Sequence, residues 1–466
     1  MKQKALVFLV VLQGVLVGFW LYLKLYYWPG KEVRFTAVKT SPLSLFTPYG
    51  PGLDYDIALL FARTHNLKLI WHEVKTFDQA FALLRKNKID VVVGVPNNIV
   101  WEDKSTRKGP LYLKDNFILI HNMYRYPLRE FAELCRAKVM VPDFIFFKNK
   151  IQEYDNEIVC SINYKIIKQS TIILYTWLAE NKARFMLTDK ISFQSLTPYF
   201  SNLRKTYEFQ RPFQFRWIWN KRYTKLDNLL SAFWDNPQTK EKFQELKEIY
   251  FGFFKDKIDY YQLAHLKITI KKKLPLHAKT ILRVSKQYKI DPLLLIAQIY
   301  QESRFDPKAR SKTGVRGLLQ LSQDTASWIG IKNRLDARQS ILGGAKYLFF
   351  LANKIQNRGV VGWDKWCMAL AAYNQGLGHL YDAMELVKQK GKNYLAWKNI
   401  KKIYPLLSYK KYYQHTQYGY CRGYEAISYV ENIRYYYYTL RLLAFFGGRE
   451  GNYLRYFLGR FSFPWP

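Results

Sequence analysis

The sequence predicts a two-lobed α/β domain followed by an all-α-rich domain, both behind an N-terminal transmembrane or signal segment. Three observations carry this reading. An apolar stretch opens the chain, short β-branched runs alternate with helices from residue 33 to about 254, and helix-period segments alone fill about 275 to 446. At 466 residues the chain has room for two or three domains. The expected boundaries are 1–30 for the N-terminal segment, 31–256 for the α/β domain, 257–275 for a linker, 276–448 for the helical domain and 449–466 for a tail.

Lys2 and Lys4 precede an apolar segment from Ala5 to about Leu23, roughly the length that crosses a bilayer. No small-residue cleavage site follows, because Val17-Gly18-Phe19-Trp20-Leu21-Tyr22-Leu23 runs into the bulky Lys24-Leu25-Tyr26-Tyr27-Trp28. An uncleaved signal anchor is expected, and a cleaved signal peptide is the alternative. Either puts the remainder in the cell envelope on the periplasmic side: anchored to the inner membrane if the segment is retained, associated with the outer membrane if it is cleaved. Disulfides persist in that compartment. Cys135 with Cys160 and Cys367 with Cys421 are the permissible pairs, and buried free thiols are equally consistent.

Lys and Arg number 73 against 36 Asp and Glu, a net charge of +37 that calls for a negatively charged partner. The basic residues are spread along the whole chain, without a helix-turn-helix, zinc spacing or RNP-type motif. An anionic polymer or a membrane surface is therefore expected rather than nucleic acid, and no metal or cofactor. Aromatics at 17% exclude a disordered chain.

In the α/β region, Val33–Val38 reads as a strand, Tyr55 to about Thr64 as a helix, Leu67–Val74 as a strand and Asp78–Arg85 as a helix. Ile89–Gly94 is short, β-branched and apolar, as a buried parallel strand is. Lys138–Val141 and Arg184–Asp189 repeat the habit around a helix from Ile172 to Lys182. The order of these elements, with Gly52-Leu53-Asp54-Tyr55-Asp56 opening a helix and Lys88-Ile89-Asp90 leading into an apolar strand, is similar to the extracellular solute-binding family (family 3). That resemblance implies a periplasmic-binding-protein-like domain that holds an amino-acid or muropeptide ligand between its lobes through an arginine. Arg107, before Gly109-Pro110-Leu111-Tyr112, stands where that arginine is expected, and a surface arginine is the other reading.

Leu246–Phe254 closes this domain, and Lys271-Lys272-Lys273 before Leu274-Pro275 reads as a solvated entry to the next. Helical segments follow at His277–Tyr288, Pro292–Glu302, Ser322–Ile329, Ser340–Asn357, Lys365–Tyr373, Gly378–Lys390 and Tyr424–Phe446. In the second of them Asp291 is the N-cap and Pro292 occupies the first turn, where a missing N–H costs nothing. Glu302 falls at its C-terminal end, and Asp306-Pro307 stops it. There the helix dipole and apolar neighbours disfavour a charged carboxylate, so Glu302 can hold a proton near neutral pH as a general acid.

Downstream, Ala371-Ala372-Tyr373-Asn374-Gln375-Gly376 ends a helix with an aromatic ring and an amide, groups that stack on sugar faces and read N-acetyl groups. Taken alone it is an ordinary C-cap. Tyr429 lies on an amphipathic helix, where core packing is the plain alternative.

Glu302-Ser303, the turn Gly314–Gln320 with Thr325-Ala326, Ala372–Gly376 and Tyr429 together resemble the soluble lytic transglycosylase family, with its lysozyme-like fold. Joined to a solute-binding-like front half, they resemble its membrane-bound members. The resemblance implies cleavage of the β-1,4 bond between N-acetylmuramic acid and N-acetylglucosamine in peptidoglycan glycan strands, leaving a 1,6-anhydromuramyl end. Glu302 would act as acid and then base, and Ser303, Gln320, Tyr373, Asn374 and Tyr429 would line the cleft. A conventional glycosidase uses two carboxylates. The nearest candidates, Asp306 and Asp324, read as caps of a turn and a helix. A hydrolytic muramidase and a non-catalytic wall-binding sensor are the alternatives.

Overall fold

The computed structural model describes residues 30–39, 41–43, 50–143, 161–210, 212–254 and 258–458. The expected signal anchor lies outside them, and among the described residues no helix is long and apolar enough to cross a membrane. Apart from two short stretches that group with the second, two compact units are formed by residues up to 246 and from 247 onward.

The first unit holds two sheets. In one, β1 (Glu32–Val38) pairs in parallel with β2 (Lys68–Val74) and β3 (Val91–Pro96). β3 is buried along its whole length, as a central strand covered on both faces must be. β4 (Thr106–Lys108) and β5 (Leu113–Asp115) lie antiparallel to a late strand, β11 (Phe213–Asn220), which itself pairs with β3. The second sheet runs β10-β6-β9-β7-β8, from Leu203–Glu208 (β10) through Phe117–Asn122 (β6), Phe185–Asp189 (β9) and Val139–Pro142 (β7) to Tyr164–Ile167 (β8). The chain thus leaves the first sheet after β5 and returns with β11, which makes two lobes. Arg34 on β1 is anchored to the buried Asp90 that precedes β3.

The second unit is helical and centres on Gly423–Phe446, a helix of 24 residues that packs against Pro292–Ser303 and Gly362–Gln375. Pro292–Ser303 forms because Asp291 caps it, its side chain accepting the Leu293 N–H at 2.7 Å, and because every residue from Pro292 to Tyr300 is buried. It stops where Arg304 and Phe305 take left-handed conformations. The Tyr437 hydroxyl donates to Asp291 at 2.8 Å, tying the start of this helix to the long one.

Three expected boundaries move. Residues 257–275 contain a helix, Tyr260–Lys272, whose Leu263, Leu266 and Ile270 are buried, so this stretch is packed structure rather than linker. The expected tail begins with a helix, Gly448–Leu458, held by buried Leu454 and Phe457 and by Arg455 donating to the Ala444 carbonyl at 2.9 Å. Residues 247–254, read as the end of the front domain, belong to the second unit. Arg434, with no exposed surface, explains this: it donates to Glu248 at 2.7 Å and to Glu431 at 3.2 Å, while Lys401 bridges the same two carboxylates.

Cys367 and Cys421 are both free and buried, which overturns their permissible pairing. Cys367 sits inside a helix, and the Cys421 thiol faces Gln375 instead. Cys135 is disulfide-bonded, and its expected partner Cys160 lies outside the described residues.

Replacing Arg434 by Ala would leave the buried Glu431 and the half-buried Glu248 with Lys401 alone between them. Loss of about 3–5 kcal/mol is expected, read as a fall of about 6–20 °C in the unfolding transition of the helical unit.

Candidate active site

Glu302 lies in the last turn of Pro292–Ser303, and the Tyr429 hydroxyl of the long helix donates to its Oε1 at 2.5 Å. Burial pushes the Glu302 carboxyl up to about 8, against the pull of the Tyr429 bond, which favours the charged form. The carboxyl therefore carries its proton at neutral pH while keeping part of its surface open to solvent. Burial and the neighbouring Glu302 both raise Tyr429 and Tyr373, so the two phenols stay protonated beside it.

The turn between residues 309 and 321 is tied to the residue that follows Glu302. It folds back on itself through bridges from Arg316 to Arg310 and to Leu321. Gly317 has φ +85°, and a Cβ there would strike the Arg334 carbonyl, so glycine is required. Two of the expected cleft residues hold this turn in place. Ser303 donates its hydroxyl to the Leu318 carbonyl at 2.9 Å, and Tyr373 donates to the Leu319 carbonyl at 2.8 Å. Gln320 does so from within, its amide nitrogen bonded to the carbonyls of Ala309 at 3.0 Å and Gly317 at 2.8 Å. Their donors are thus committed to the backbone. What they retain for a ligand is acceptor capacity and, for Tyr373, a half-buried ring packed 5.2 Å from that of Tyr347.

Asn374 is exposed at the end of the same helix as Tyr373, its Oδ1 accepting from Gln375 at 2.9 Å. Asp306 caps its turn by accepting the Lys308 N–H at 2.9 Å, as expected of it. Asp324 does not cap its helix: Ser322 does, accepting the Thr325 N–H at 3.0 Å, and Asp324 is exposed in the first turn.

Arg107, in the first unit, belongs to no such cluster. Its fork is matched to Asp227 at 2.6 and 2.8 Å, and Asp227 also accepts the Trp219 indole N–H at 2.8 Å. Asp227 thus already pairs side-on with the guanidinium, whose side chain is half exposed.

One residue at the site escaped the sequence reading. Gln298, fully buried, donates from Nε2 to the Tyr429 hydroxyl oxygen at 3.2 Å. The signal was present: an amide inside the apolar run Pro292–Tyr300, four residues before Glu302 and hence on its face.

The Transglycosylase SLT domain family matches residues 279–396. A membrane-bound lytic murein transglycosylase F of Shewanella baltica is 32% identical over 425 residues, covering 88% of this chain and 87% of the relative. Its counterpart in Shewanella oneidensis is 32% identical over 426 residues with the same coverage, and that of Shewanella halifaxensis 33% identical over 392 residues, 84% of this chain and 81% of the relative. Among solved structures, a mutant of ArgBP from T. maritima aligns at a TM-score of 0.40 and 18% identity over 48% of this chain and 96% of its own. An ancestral arginine-binding protein bound to glutamine aligns at 0.41 and 15% over 48% and 100%. On its identity and coverage with curated relatives, the chain belongs to the membrane-bound lytic murein transglycosylase F family.

Proposed function

We propose that this chain is a peptidoglycan lytic transglycosylase in which Glu302 alone serves as acid and then base, acting in the cell envelope on the periplasmic side of the membrane. The observation that carries the proposal is the Glu302 carboxyl held by Tyr429 at 2.5 Å in a setting whose desolvation favours the protonated form, with no second carboxylate in the interactions that set its charge. In the first step Glu302 gives its proton to the glycosidic oxygen as the bond from that oxygen to muramyl C1 breaks. Positive charge then develops at C1 and its ring oxygen. The resulting carboxylate removes the proton from the C6 hydroxyl, the C6 oxygen bonds to C1, and the protonated acid is restored. No water enters, so one carboxyl suffices.

The cleft residues take supporting parts. Ser303 and Tyr373 hold the turn that carries Gln320, whose carbonyl oxygen can accept an N-acetyl N–H, and the Tyr373 ring and Asn374 amide offer stacking and hydrogen bonds to the sugar. The net charge of +37 suits an anionic wall polymer.

Glu302→Gln is expected to lower turnover on intact sacculi by at least about 10²–10⁴-fold, the usual contribution of a general acid. Wild-type products should be lighter by one water than the reducing ends a hydrolase makes. Reducing ends in mass spectra would instead identify a muramidase, and binding without any cleavage a sensor.

Because the acid must be protonated, kcat/KM should fall as pH rises through about 8. The same shift acts on stability. A carboxyl raised above its ordinary value of 4.5 stabilises the fold in its protonated form, and that contribution is lost as pH rises from 4.5 through about 8. Glu302→Gln, which cannot ionise, should therefore gain in unfolding temperature over the wild type across that range.

A further inference from the structure

From Pro292 to Tyr300 the helix beneath the active site is buried without interruption, and Gln298 is the one amide side chain in that run. It has no exposed surface. An amide placed in an apolar interior is costly wherever its groups go unpaired. Its Oε1 is such an unpaired group, and what the residue makes in return is one hydrogen bond from Nε2 to the Tyr429 oxygen at 3.2 Å.

The same hydroxyl donates to Glu302 Oε1, oxygen to oxygen 2.5 Å, so the three groups form a chain. Its direction follows from which atoms can donate. Either way round, the amide leaves two of its groups unpaired. With the nitrogen on Tyr429, however, the Tyr429 oxygen accepts while its hydrogen goes to Glu302; with the amide turned round, Gln298 Oε1 would face the oxygen of a hydroxyl whose hydrogen is already given to Glu302, two acceptors with no hydrogen between them.

We propose that Gln298 is a positioning residue: by donating to the Tyr429 oxygen it turns the Tyr429 hydrogen onto Glu302 Oε1, so the proton of the acid resides on Oε2. Tyr429 does not engage Oε2, which is left to meet the glycosidic oxygen. After the proton has been given away the same arrangement serves the base. Tyr429 continues to donate to Oε1, and Oε2 accepts the proton of the C6 hydroxyl. One oxygen of one carboxyl performs both transfers.

The titratable groups that face Glu302 are Tyr429 from the long helix and Tyr373 from Gly362–Gln375. Tyr373 cannot substitute for Tyr429, because its hydroxyl is bound to the Leu319 carbonyl at 2.8 Å. Gln298 acts through Tyr429 alone.

The inference rests on Glu302 being the acid and base, and its test separates the two. Gln298→Leu, Tyr429→Phe and the double variant are prepared in the full chain, and kcat/KM is measured against pH on sacculi beside Glu302→Gln. Leu removes the donor in an apolar setting, so folding should hold, and Gln298→Met repeats the measurement with a straighter side chain. We expect kcat to fall about tenfold with KM little changed. The alkaline limb should move to higher pH, because a weaker Tyr429 donor stabilises the carboxylate less. The double variant should be no slower than Tyr429→Phe alone. A limb that stays in place, or losses that multiply in the double variant, would overturn the proposal, and a limb moving to lower pH would show the chain of bonds running from Glu302 toward Gln298. An active Glu302→Gln would instead remove the reading beneath it.

Discussion

The catalytic half of this protein depends on one helix pairing. Pro292–Ser303 is fastened at both ends to Gly423–Phe446, by the Asp291–Tyr437 bond at its start and the Glu302–Tyr429 bond at its end. Burial of an unbroken apolar run supplies the driving force, and the two polar ties fix the register. Register is what matters for chemistry. Rotating one helix by a residue would swing Glu302 away from its phenol and leave two buried polar groups unpaired, at about 1–3 kcal/mol each. The arrangement that packs best is thus also the one that presents the acid.

The same economy governs the turn above the acid. Ser303 follows Glu302 in the chain and Tyr373 faces it, yet both hydroxyls point to backbone carbonyls of Leu318 and Leu319. A turn has few internal hydrogen bonds of its own, and buried carbonyls must find donors. Side chains beside the Glu302 carboxyl therefore hold the backbone of the neighbouring turn. Gly317 completes it by admitting the Arg334 backbone where no side chain would fit.

Charge is distributed with a corresponding division. The chain is strongly basic, yet the groups that set the Glu302 proton are desolvation and a neutral phenol, without a cation among them. A lysine or arginine within a few ångströms would favour the carboxylate and deprive the acid of its proton. Where a cation is buried, as at Arg434, it is placed among Glu248, Glu431 and Lys401 and serves to dock residues 247–254.

By itself the sequence determined what local chemistry controls. Apolar β-branched runs marked β1, β2, β3, β7 and β9, and the Asp291-Pro292 start located the helix that ends at Glu302. The lone carboxyl with its aromatic and amide neighbours pointed to the reaction class, because motif residues and their spacing are local facts. The tertiary structure decided everything that depends on who the partner is. β4, β5 and β11 pair across about a hundred residues, so no window of sequence displays them as a sheet. Cys367 and Cys421 stay apart, Arg107 turns to Asp227, and Ser303 turns to a carbonyl, each for a contact distant in the chain. Gln298 is the clearest case: in the sequence it is one amide among apolar residues, and its direction is set by Tyr429, 131 positions later. Hydrogen bonds are directional and short, so which atom faces which is settled only when the helices have packed.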